Sequence, residues 1–252
     1  ALYLSTAGHQ FYVLTLKTSN LTIVYDFNNK PWYQWTFLTI QATKSVTALT
    51  QSAGVATATV TNHGYSDGDP ILIAGATPSG FNGTFNISRI DANTFQYQVA
   101  EGLSSPATGT ITSAGYDESY FPGVAYATYN NLDLILGENS GIIYSLDPEV
   151  YGDNGVPINF SVRTPPFDNG NLDRKNFVRA RLVTDIETGT VLLRRTDDDY
   201  GTYNSYFRIP LANYDDDQLT DGQARRRAWE VRYTSTTALR VEALEIEFNQ
   251  VK

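Results

Sequence analysis

Two histidines, two runs of aspartate and two clusters of arginine are the groups in this 252-residue chain whose type and spacing could do chemistry. His9 and His63 are the available imidazole bases. A serine–histidine–aspartate relay needs such a base held by a carboxylate beside an exposed hydroxyl, and the spacing around neither histidine offers that. Both are read as structural. Asp197-Asp198-Asp199-Tyr200-Gly201 and Asp215-Asp216-Asp217 are rich in the carboxylate oxygens that hard cations favour. A calcium-binding EF-hand loop, however, alternates its ligands around a central glycine and closes on Glu, which neither run does. Two carboxylates facing each other across a sugar could hydrolyse a glycoside. The plainer reading is that these acidic loops cap hairpins and keep the surface solvated. With no Cys there is no thiol nucleophile, thiolate metal site or disulfide framework. No catalytic, cofactor-binding or metal residue is assigned, and no cofactor is expected.

The arginines suggest contacts instead. Neighbouring side chains on a strand point to opposite faces, so a strand over 225–234 would put Arg225 and Arg227 on one face, with Arg232 near. These could meet DNA phosphates or the aspartate loops. Residues 1–160 carry 4 basic and 12 acidic side chains, and residues 161–252 carry 14 and 15. That balance favours ion pairs within or between subunits over DNA binding, and a net charge of −9 disfavours nonspecific phosphate contacts. The candidate subunit interface is therefore Arg225, Arg227 and Arg232 with Asp197, Asp198, Asp199, Asp215, Asp216 and Asp217. Tyr and Trp at 32, 33, 35, 116, 120 and 126 could form a sugar-stacking platform; core packing is the preferred reading.

The elements that would position these groups read as strands throughout. Aromatics make up 13% of the chain, with 17 Tyr, and no segment shows a helical period. Phe11–Leu16, Leu21–Asp26 and Trp32–Phe37 are strand-like, separated by the turns Lys17-Thr18-Ser19-Asn20 and Asn28-Asn29-Lys30-Pro31. A similar pattern recurs at 124–129, 132–136 and 142–147, which suggests β-propeller blades. Between the copies, residues 41–115 are rich in Ala, Thr, Ser and Gly, with short strands expected at 45–50, 54–61, 70–75, 83–90, 94–100 and 107–113. That composition reads as a small β domain inserted in a loop, where lengthening costs little. From Thr164-Pro165-Pro166 the charge density rises, and strands are expected at 177–185, 189–195, 203–209, 225–234 and 239–249. The expected divisions are 1–40 and 116–163 as blade strands, 41–115 as insert, and 164–252 as a C-terminal antiparallel region. No apolar run spans a bilayer. The opening Ala1-Leu2-Tyr3-Leu4, without Met, suggests a piece of a longer protein.

Three stretches together resemble the phage packaged-DNA stabilisation family of tail hub or nozzle proteins. One is His9-Gln10-Phe11-Tyr12-Val13-Leu14-Thr15 with Tyr25-Asp26 and Trp32-Tyr33-Gln34-Trp35. The second is Gly141-Ile142-Ile143-Tyr144-Ser145-Leu146-Asp147 running into Tyr151-Gly152-Asp153-Asn154-Gly155. The third is Arg163-Thr164-Pro165-Pro166, then Phe177-Val178-Arg179-Ala180-Arg181-Leu182. His63-Gly64-Tyr65-Ser66-Asp67-Gly68-Asp69 and Phe81-Asn82-Gly83-Thr84-Phe85 are similar to a β module inserted in phage structural proteins. The resemblance implies an all-β fold: partial β-propeller blades, an inserted small β-barrel or immunoglobulin-like domain, and a C-terminal antiparallel β-sandwich-like region. It further implies a non-enzymatic virion protein of the phage tail, assembled in the bacterial cytoplasm. Its partners would be its own copies in a ring, commonly a hexamer, the portal and adaptor, distal tail proteins, and DNA passing without sequence readout; no membrane is involved. The alternative function is a carbohydrate-binding or depolymerising tail accessory. A bacterial surface adhesin module shares the composition but not this order of segments.

Overall fold

The computed structural model describes residues 1–138, 141–212 and 222–251. The protein is all-β: among the described residues there are only strands and two single 3-10 turns, at Lys17–Ser19 and Ser79–Phe81. Among the described residues no helix is long and apolar enough to cross a membrane. The chain divides into two compact units, residues 1–41 with 116–158 and residues 42–115 with 159–252. It opens with β1 (Leu2–Thr6), β2 (His9–Leu16), β3 (Leu21–Asp26) and β4 (Trp32–Ile40). Residues 42–115 supply β5 (Lys44–Ser45), β6 (Ala48–Ser52), β7 (Val55–Thr59), β8 (Pro70–Ala74), β9 (Gly83–Asn86), β10 (Ser88–Arg89), β11 (Thr94–Gln98) and β12 (Thr112–Ala114). Then come β13 (Tyr116–Tyr120), β14 (Gly123–Tyr129), β15 (Leu132–Gly137), β16 (Ile143–Leu146) and β17 (Gly152–Asp153). The chain continues with β18 (Val156–Arg163), β19 (Lys175–Thr184), β20 (Thr190–Thr196), β21 (Phe207–Pro210), β22 (Gly222–Ala224), β23 (Ala228–Ser235) and β24 (Val241–Gln250).

In the first unit, β1-β2-β3-β4-β13 form one antiparallel sheet and β14-β15-β16 another. The turn at 17–20 closes on Asn20 in the left-handed region, which Asn tolerates. The Asn20 side chain then reaches β13, donating to the Glu118 carbonyl and accepting from the Tyr120 amide. Asn130 and Asn131 both have positive φ, the conformation that a two-residue hairpin turn demands. Inward-facing Leu4, Val13 and Val24 of the larger sheet bury against Ile135 of β15, with Trp35, Phe121, Tyr126 and Leu146 around them. Ile40 of β4 pairs with Tyr116 of β13, so segment 42–115 departs and returns at adjacent points of one antiparallel pair.

In the second unit, β10-β11-β7-β6 and β5-β12-β8-β9 enclose a core of Phe81, Phe95, Tyr97, Ile71, Ile73 and Leu49. The strands expected at 45–50 and 107–113 are shorter than their sequence patterns. Val46 and Thr47 separate β5 from β6, and Thr108 makes only an isolated bridge to Thr77. The chains cross too closely there for a regular ladder: a Cβ on Gly75 would sit 2.1 Å from the Thr110 carbonyl oxygen. The C-terminal part carries β18-β23-β20-β21 and β22-β19-β24 around Trp229, Phe177, Val191, Leu193 and Val231. β18, grouped with the blades by sequence, hydrogen-bonds to β23 of this part. The strand expected over 203–209 begins only at Phe207, because Asn204 pins the preceding loop to the backbone of Arg195. In β24 the polar–apolar alternation has its expected effect, with Leu244, Ile246 and Phe248 packed on the core.

The loop 66–69 seats on the C-terminal sheet within this unit. Gly68 has φ +82°, and a Cβ there would meet the Tyr206 ring at 2.5 Å and Leu192 at 3.2 Å. Arg208 reaches back to the Ile87 carbonyl at 2.5 Å and to Asp67 at 3.5 Å. Gly68→Ala should therefore lower stability by at least about 1–2 kcal/mol from the left-handed backbone alone, before the clash. Urea unfolding of the variant checks this, and an unchanged midpoint would contradict the tight seat.

Candidate functional site

The charged residues singled out by sequence are, where described, tied into internal networks. Glu230 lies on the central strand β23, 1% exposed, on the face opposite Trp229 and Val231. Its Oε1 accepts from Arg163 Nε at 2.8 Å, while Oε2 accepts from Arg194 Nε and from the Tyr206 hydroxyl at 3.2 Å. The Arg194 guanidinium lies 4.0 Å from the Tyr203 ring centre and 4.6 Å from that of Tyr206. Arg232 completes the set by donating to the Tyr206 hydroxyl at 3.0 Å. Burial opposes ionisation of Glu230, but the hydrogen bonds from Arg194 and Arg163 overcome it and hold the carboxyl below its ordinary range.

The aspartate loop is built the same way. Arg227, 1% exposed, clamps Asp197 with Nε to Oδ1 at 2.7 Å and Nη2 to Oδ2 at 2.9 Å. Its guanidinium also lies 4.4 Å from the centre of the Phe177 ring. Arg226 pairs with Asp199 at 3.0 Å. Asp198 ties the loop together, accepting from the Thr202 hydroxyl and amide and from Thr196, which brings its carboxyl down to about 2. The expected common face of Arg225 and Arg227 is corrected. β23 starts only at Ala228, Arg225 lies exposed in a bend donating to the Leu172 carbonyl, and Arg227 turns inward at its bridge to Phe167. Asp215, Asp216 and Asp217 lie outside the described residues.

The histidines are held by their own partners. Buried His63 accepts from the Tyr65 amide through Nδ1, so its Nε2 donates to the Asp91 carbonyl at 3.0 Å, the neutral tautomer. His9 donates from Nδ1 to Asp26 at 2.9 Å, and Asp26 also accepts from the Asn28 and Asn29 amides. No hydroxyl is bonded to either ring among the described residues, and among these no group of three or more His, Asp and Glu could hold a metal ion.

Sequence reasoning missed the outer faces of the first unit. Tyr3, Tyr12, Tyr25 and Trp32 occupy one register position across β1, β2, β3 and β4, opposite in orientation to the core. Ring contacts run from Trp32 to Tyr25 at 4.9 Å, to Phe27 at 5.2 Å and to Tyr3 at 6.3 Å, with Tyr12 beside them in register. Trp32 is 61% exposed and Tyr3 54%. The core reading of the aromatics therefore holds for Trp35 and Tyr126, which pack on the core, and is corrected for Trp32 and Tyr33, which are exposed. On the other sheet, Tyr129, Leu132, Leu136 and Ile143 stand outward and exposed. No outward position of β1–β4 or of β14–β16 in these pairings is Asp, Glu, Lys or Arg, whereas on the β13 edge Glu118 pairs with Leu38 on the Trp32 side. The charges point inward instead: Asp26 is buried, and Asp133 accepts from Tyr126 at 2.6 Å. The signal was present in the sequence as apolar runs without alternation, such as Phe11–Leu16, a pattern of strands covered on both faces.

Compared with known proteins, the chain matches no family model and no curated protein.

Glu230→Gln should destabilise the second unit by about 3 kcal/mol, since the uncharged amide cannot compensate Arg194 and Arg163. The folded pKa of Glu230 is depressed, so its contribution is present above the ordinary value of 4.5 and is lost as pH falls below it. Urea midpoints measured from pH 7 down to 3 should fall less steeply for the variant than for the parent. Parallel curves would contradict the network.

Proposed function

We propose that this chain is a structural, non-enzymatic subunit of a phage tail hub or nozzle, which works by assembling rather than by turning over a substrate. The observation that carries the assembly reading is the charge-free aromatic row Tyr3–Tyr12–Tyr25–Trp32, exposed except for the half-buried Tyr25, on a protein whose overall charge is −9. Its rings expose on the order of 400 Å² in all, taking about 200 Å² for a whole ring side chain. A patch of that size is comparable to the largest on a typical monomer, which is often functional. The phage assignment rests on the resemblance of the segments 9–15, 141–155 and 163–182. In that reading the protein forms a ring below the portal and adaptor and helps retain packaged DNA.

The same row also favours a second reading, a platform for host glycans. Neighbouring rings are tilted against one another, Tyr25 and Trp32 by 44° and Tyr25 and Phe27 by 85°, so they do not form the flat platform on which a sugar would stack. Assembly is preferred for that reason.

Light scattering of the full chain should show an oligomer whose fraction is unchanged by NaCl and raised by sulfate, as expected for apolar contacts. Dissociation on raising NaCl would instead make the arginine and aspartate loops the contact. A monomer at all concentrations that binds on a glycan array would favour the second reading.

A further inference from the structure

We propose that copies of this chain associate head to tail, the aromatic row of one copy packing on the Leu136–Ile143 face of the next; this rests on the assembly reading above. The two sheets of the first unit pack face to face through Leu4, Val13, Val24 and Ile135. Their outer faces therefore point away from one another. One face carries Tyr3, Tyr12, Phe27 and Trp32, and the other Tyr129, Leu132, Leu136 and Ile143, which is 63% exposed. Across β1–β4 and β14–β16 the outward paired positions carry no charged side chain, and Glu118 lies beyond the row on the β13 edge of the larger sheet. Depletion of charge distinguishes the centre of an interface from ordinary surface. Between copies of a chain of net charge −9, repulsion is least where charges are absent.

The areas fit a second copy. A stable pairwise contact buries about 800 Å² on each partner, of which about 57% is apolar. The ring area on the aromatic face, on the order of 400 Å², supplies that apolar centre, and Ser5, Gln10 and Gln34 supply an uncharged polar rim. The two faces also differ in kind. One is broad and aromatic across four strands, the other aliphatic across three, with Tyr129 at its end. Unlike faces on opposite sides of one unit generate a heterologous contact, which closes into a ring or runs on as a filament, whereas a two-fold contact would need one face to match itself.

The test uses two surface variants of the full chain, Trp32→Glu and Ile143→Glu, with Tyr3→Ser as a substitute should the first fail to fold. Each variant alone should lose the parent oligomer, weakening association at least ~30-fold. Mixed together, they should give a one-to-one dimer and nothing larger, because each retains one intact face. If Ile143→Glu alone still associates while Trp32→Glu does not, the contact is row to row and the head-to-tail proposal is overturned, as it also is if both variants are monomeric and their mixture stays monomeric. If neither variant alters the parent oligomer, these faces are not the contact, although the assembly reading stands. A parent chain that is monomeric at all concentrations overturns both.

Discussion

A β-sheet buried on one face must present water-compatible residues on the other or find a second cover. That constraint organises the first unit. Its strands β2, β3 and β15 are apolar on both sides, yet only one side is packed, against the small core around Val24 and Ile135. The polar groups that would normally mark a wet face are turned inward, with Asp26 held by His9 and two backbone amides, and Asp133 by Tyr126. Hydrogen bonds satisfy these inward carboxylates, so they cost little where they are. The rings left outside have no such compensation and stand exposed.

The second unit solves its charge problem internally. β23 is a central strand, so both of its faces are covered and a charged side chain on it must be paired. Trp229 and Val231 take one face, while Glu230 and Arg232 take the other, where Arg194, Arg163 and Tyr206 meet them. Tyr206 has two tasks: it bridges Glu230 and Arg232, and its ring receives Gly68 of the loop 66–69. The same residues thus link residues 42–115 to the C-terminal sheet. Charge density in the sequence beyond residue 160 reflects this internal pairing where side chains are described, with Arg227 on Asp197 and Arg226 on Asp199 as further cases.

Much of the fold was legible in the sequence because its signals are local. Turns such as Lys17–Asn20 and Asn130-Asn131, and the alternation in β24, depend on neighbours one to four residues apart. The failures are long-range. Whether Trp32 faces a core depends on what lies opposite β4, and nothing near Trp32 encodes that. Whether Arg225 and Arg227 share a face depended on a strand start, which the bridge from Arg227 to Phe167 delays. The register that lines up Tyr3, Tyr12, Tyr25 and Trp32 follows from three successive hairpins, and becomes visible only when their pairings are known together.

The most direct measurement of the central claim is the fluorescence of Trp32 as the chain is concentrated, taken as the difference between the parent and Trp32→Phe. Trp32 is solvent-exposed in the single chain, whereas Trp229 is buried. If the aromatic row is the surface that other copies cover, the difference spectrum shifts to the blue and loses quenching by acrylamide as mass rises. A Trp32 signal that stays solvent-like while the protein assembles would contradict the account.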